Sequence, residues 1–146
     1  MRYPALLPLC LLTSLLLPGG AAAAVDTITD GPSLLTACHH ALKGLDDDFD
    51  KLTPGQQNDA FLCMAYLGGI MGATHHATRL AKLRYAQSSA GRGDQRDFNL
   101  YCIDWQLKHH ELARLLIAYA RRHPEHVQGP AHELVFRALD AAYPCR

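Results

Sequence analysis

The stretch "HHELARLLIAYARRHPEHVQGPAHELVFRALDAAYPC", His109 to Cys145, decides the fold. Leu112, Leu115, Leu116 and Tyr119 recur at steps of three and four, the period of one helix face. Arg121, Arg122 and His123 suit the negative end of the helix dipole, and Pro124 stops the helix. A second apolar row begins near Pro130 with Leu134, Val135, Ala138, Leu139 and Ala142, and Pro144 closes it. Two helices joined by the short linker "HPEHVQGP" are expected to run antiparallel. No alternating strand pattern of useful length appears anywhere in the chain, so the expected class is all-α.

Upstream, the third helix has two candidate starts, at Asp104 and at Lys108. The second would put Glu111 at the third helical position and pair Leu107 with Leu112 as a hydrophobic staple. "FNLYCI" reads as extended and partly buried, and "QSSAGRGDQRD" before it as a polar loop. Before that loop, Thr53 can cap, Pro54 can take the first position and Gln56 can complete a capping box. This helix should continue to about Ala86, with Phe61, Met64, Ala65, Gly68 and Gly72 on its packing face. The small residues there would let another backbone approach. The first helix is expected from Pro32 to Lys43, with Gly44 as its C-terminal stop.

The chain begins "MRYPALLPLCLLTSLLLPGGAAAAVD". Arg2, a leucine-rich run from Leu6 to Leu17, the breaker Pro18-Gly19-Gly20 and Ala21 to Ala24 form the pattern of a cleaved signal peptide. The apolar run is too short and interrupted for a membrane span. Two parts are expected: residues 1–24 as signal peptide and 25–146 as one small, soluble, exported domain. The 146 residues carry 14 basic and 14 acidic groups. That balance does not suit a nucleic-acid binder. Of the five cysteines, Cys10 would leave with the leader. Four in an exported small domain read as two disulfides, for which three connectivities exist.

Nine histidines include the pairs His39-His40, His75-His76 and His109-His110. Neighbouring helical positions point about 100° apart, so such a pair does not present both rings to one ion. "HELVF" at His132 lacks the second histidine of a zinc protease, since Phe136 stands there. The histidines are therefore read as surface or boundary groups, with no metal ligand, cofactor or catalytic residue assigned. A free cysteine nucleophile does not fit an oxidising compartment. No phosphate loop, serine elbow or paired-carboxylate spacing occurs. For partner binding, the acidic run Asp46, Asp47, Asp48, Phe49 and Asp50 offers an aromatic anchor flanked by carboxylates, against the plainer reading of a solvated turn. Arg92 and Arg96, in the polar loop, are the second candidates.

Cys102, Tyr119, His123-Pro124-Glu125, Leu134-Val135, Ala138-Leu139 and Tyr143-Pro144-Cys145 follow in an order that resembles the Rap–Tai family of type VI secretion immunity proteins. "LLTACHHAL" around Cys38 and "FLCMAYLGGIMG" around Cys63 resemble its first two helices. The resemblance spans roughly Ser33 to Cys145. It departs at "CIDWQLK", where Asp104 and Lys108 replace the proline and capping hydroxyl of the family pattern, and in the second helix, which lacks the family's aspartate.

The resemblance implies a small four-helix disulfide-bonded bundle, exported to the periplasm, that neutralises a peptidoglycan amidase toxin by occluding it. A homodimer is possible. The alternative is a periplasmic interaction or stress protein of the same fold without a toxin partner. If the first two helices form an antiparallel hairpin, Cys38 faces Cys63. If the last two do, Cys145 returns to Cys102. Cys38–Cys63 and Cys102–Cys145 are the expected pairs.

Overall fold

The computed structural model describes residues 27–87, 102–103 and 106–144. Among them, four α-helices and two 3-10 turns make up the regular structure, with no strand. The helices are α1 (Gly31–Asp46), α2 (Pro54–Gln87), α3 (His109–Arg122) and α4 (Ala131–Ala142). Helix α1 sits at the centre and touches the other three. Helix α3 likewise touches α1, α2 and α4. This is the all-α bundle expected from the sequence.

Local chemistry sets the helix starts. The Asp30 carboxylate accepts from the Ser33 N–H at 2.9 Å, and the Ser33 hydroxyl answers toward the Asp30 N–H, forming a capping box on α1. At α2, the Gln56 side chain accepts from the Thr53 N–H at 3.1 Å and the Thr53 hydroxyl from the Gln56 N–H at 3.3 Å. Helix α3 begins after Lys108, and Glu111 accepts from the Lys108 N–H at 2.9 Å. Lys108 has no acceptor to return, so α3 keeps half of a box. Asp104, the other candidate start, lies outside the described residues.

Three expectations need correction. Gly44 does not end α1; the helix runs to Asp46, and Gly44 is buried inside it. A Cβ there would stand 2.9 Å from the Leu52 side chain and 3.0 Å from that of Phe49, so glycine serves the close approach of the following 3-10 turn (Phe49–Lys51). The packing face of α2 is Ala60, Cys63, Leu67, Met71, Thr74 and Thr78. The predicted face instead carries Phe61, 65% exposed, and Gly72, which has open space around it. Of those glycines Gly68 alone makes a close approach, to the ring of His109. Finally, Ala142 is exposed, while Leu134, Val135, Ala138 and Leu139 form the buried face of α4.

Cys38 and Cys63 are bonded to each other in the middle of the core, both fully buried. Around them pack Leu34, Leu67, Leu112, Leu116 and Leu134. Cys102 is also disulfide-bonded, and its N–H donates to the Tyr143 carbonyl at 3.1 Å. The end of α4 therefore returns to the segment before α3. Cys145, two residues beyond Tyr143, lies outside the described residues.

The start of α1 docks on the turn between α3 and α4. Gly31 N–H donates to Gly129 O at 2.9 Å, Ala131 N–H donates to Thr29 O at 3.1 Å, and Asp30 and Pro130 form an isolated antiparallel bridge. A Cβ on Gly31 would lie 2.1 Å from the Val127 carbonyl oxygen, so glycine is required by the contact itself.

Candidate partner-binding cleft

The last two turns of α1 place Ala41 and Leu45 on one face, four residues apart. The chain then leaves the helix and turns back through Phe49, which the missing side chain of Gly44 admits. Phe49 meets Phe61 of α2 edge to face, with ring centroids 5.3 Å apart. Ala60 and Met64 extend the apolar floor along α2. The fourth wall is the start of α3, through Lys108, His109 and His110. Together these elements enclose an open cleft of about 370 Å³.

The cleft is apolar on three sides and polar on the fourth. Leu45 is 59% exposed and Phe61 65% exposed at its mouth, the two most exposed large apolar side chains among the described residues. Singly exposed apolar side chains are ordinary; two flanking one cleft form a patch. On the α3 side, the Lys108 ammonium supplies positive charge, with the Glu111 carboxylate held at the Lys108 N–H. On the α1 side lies the acidic run.

The acidic candidates divide by what holds them. Asp46 pairs with Arg114 of α3 at 2.5 Å, across the gap between two helices. Asp48 accepts from the Asp50 N–H at 3.1 Å and pairs with Lys51 at 3.7 Å. Asp47 closes α1 through its N–H to Lys43 O. The Asp47 and Asp50 carboxylates are exposed, with no ion-pair partner among the described residues. Much of "DDDFD" is thus occupied in shaping the turn, and Phe49 is the member that lines the cleft. Arg92 and Arg96 lie outside the described residues.

The adjacent histidines separate as expected for a helix. His39 is exposed, while His40 is half-buried and bonds Asp59 of α2 at 2.8 Å. His109 lies on the cleft rim against Gly68. Leu45, Phe61 and Met64 were missed as cleft residues. The available signal was that α2 has apolar residues on several sides, so one of them had to remain uncovered by α1.

The model of the family of Rap1a immunity proteins matches residues 30–145. Comparison with curated proteins and with solved structures returned no match. The matched span contains all four helices, the buried Cys38–Cys63 bridge and every wall of the cleft. The chain belongs to the family of Rap1a immunity proteins.

Proposed function

We propose that this immunity protein neutralises a peptidoglycan amidase toxin in the periplasm by seating the toxin on the cleft between α1, α2 and the start of α3. The observation that carries the proposal is the apolar cleft mouth, with Leu45 and Phe61 held exposed on a rigid bundle. Aromatic anchors in desolvated pockets dominate binding energy at interfaces, and charged rims set orientation. Phe49 and Phe61 supply the anchor. Asp47, Asp50 and Lys108 supply the rim. The mechanism is steric, with occlusion of the toxin's catalytic groove and no chemistry contributed by the immunity protein.

Export through a signal peptide ending near Ala24 completes the proposal. A disulfide buried in the core suits an oxidising compartment. Among the described residues, no helix is long and apolar enough to cross a membrane.

The test is a titration of an amidase encoded beside this chain against the parent protein and the variants Phe61→Arg and Leu45→Arg. Both positions are exposed, so melting temperatures should stay near that of the parent. Each variant should weaken binding at least tenfold, about 1.4 kcal/mol. Parent-like binding by both would move the interface off this cleft. Failure of the parent itself to bind or inhibit the amidase would favour the same fold serving without a toxin partner.

A further inference from the structure

The turn between α3 and α4 gathers three ligand-type side chains that no part of the cleft uses. His123 closes α3, and Pro124–His126 forms a 3-10 turn. This turn carries Glu125 and His126 back over the end of the helix. The His123 Nδ1 lies 3.3 Å from a Glu125 carboxylate oxygen, and the His126 Nε2 lies 3.9 Å from that same oxygen. One donor atom from each of the three residues lies within 4.8 Å of the other two.

We infer that His123, Glu125 and His126 form a binding site for one divalent transition-metal ion of the zinc class. Two imidazoles and a carboxylate match the ligand types that zinc takes, at about 2.0–2.2 Å. Tetrahedral bonds of that length put neighbouring ligand atoms roughly 3.3 Å apart. The His123–Glu125 separation already has this value. The His126–Glu125 separation of 3.9 Å and the separation of the two histidine donors, within 4.8 Å, close by side-chain rotation of the imidazoles, whose rings now lie nearly parallel with centroids 5.5 Å apart. Nitrogen ligands select against calcium and magnesium. A fourth position is left for water.

The surroundings prepare the site. His126 Nδ1 bonds the hydroxyl of buried Tyr119 at 2.7 Å. With a metal on Nε2, Nδ1 carries the proton and donates to that hydroxyl, the usual outer-shell arrangement for a ligating histidine. The Tyr119 ring also stacks on His123, with centroids 4.4 Å apart. Both imidazoles are thereby positioned by one core residue. Arg122, beside His123 in the chain, turns its Nε to the Ala118 carbonyl at 3.2 Å.

A metal here would fix the α3–α4 turn, whose Val127 and Gly129 carbonyls receive the start of α1. Binding should therefore raise the melting temperature, because the unfolded chain lacks the assembled site. The experiment is competition for zinc between tag-free protein, with its disulfides intact, and a chromophoric chelator. The parent should bind one ion per chain at micromolar zinc and melt higher with it. Glu125→Gln, exposed and clear of the core, should weaken binding at least tenfold, and His126→Gln should do the same. His132→Gln, exposed and outside the cluster, should bind like the parent. Histidine ring signals of His123 and His126 should move on titration. No saturable binding, parent-like binding by both cluster variants, or equal weakening by His132→Gln would overturn the inference.

Discussion

Cys38 and Cys63 join α1 to α2 in the middle of the core, whereas Cys102 lies exposed at the edge of the α3–α4 hairpin. We propose Cys145 as the partner of Cys102, since the Tyr143 carbonyl already accepts from the Cys102 N–H. The two hairpins are then closed in different ways. The inner bridge is both a cross-link and a packing element, set in one buried cluster with leucines of the other helices. On the outer bridge, Cys102 is exposed. Loop closure depends only weakly on length, so the chain-entropy contributions are similar: about 3.5 kcal/mol for the inner loop and about 4 kcal/mol for the longer outer one. Packing, rather than loop length, should separate them.

The largest expected effect follows from that difference. Replacing both Cys38 and Cys63 with Ala should cost more stability than replacing both Cys102 and Cys145, because Cys38 and Cys63 are fully buried and their loss leaves voids, whereas Cys102 is exposed. Urea denaturation of the two double variants reads the order directly. If the outer pair proved the more costly, the distinction between interior and marginal bridges would fail here. Cys145→Ser alone should lower the melting temperature and leave Cys102 alkylatable.

A smaller effect sharpens the comparison at the contact that joins the two hairpins. Gly31→Ala should destabilise by about 1–3 kcal/mol, since its Cβ would overlap a backbone oxygen that has little room to yield. Gly72→Ala, on the open side of α2, should instead stabilise by up to about 1 kcal/mol through helix propensity. Equal outcomes at the two positions in thermal melts would show that the Gly31 contact is loose.

The smallest effect concerns the same contact through pH. Hydrogen bonds from Ser33 hold the Asp30 carboxyl below its ordinary value of 3.8. A depressed value stabilises the fold above the unfolded value and is lost as pH falls through the folded one. Asp30→Asn should therefore flatten slightly the loss of stability below about pH 4, with little change at neutral pH. An acid limb identical to that of the parent would mean that the capping carboxylate contributes nothing measurable. The group is fully exposed, so the shift should be modest.

Much of the bundle was legible in residue order. The Thr53-Pro54-Gln56 start, the Lys108 boundary chosen by Glu111, the stop at Pro124 and the apolar row of α4 each rest on local chemistry. Phe49 was legible as an aromatic set among carboxylates. The cleft around it was not, because its other walls come from residues far apart in the chain. Gly44 misled for the same reason: a glycine near a helix end resembles a stop, and only the returning turn shows that it is a contact.

The sequence by itself determined helix type, helix number and most helix ends, because capping, proline placement and the apolar period act within a few residues. Tertiary structure alone decided which face of α2 is buried. That helix has apolar groups all round, so its own pattern names no direction, and the contact made by α1 through Cys38 selects Cys63, Leu67 and Met71 while leaving Phe61 outside. It also decided the grouping of His123, Glu125 and His126 beside Tyr119. Their separations depend on a 3-10 turn, closed by the His126 N–H to the His123 carbonyl and the Val127 N–H to the Pro124 carbonyl, and on the rings packing against Tyr119, which the spacing of the residues does not show.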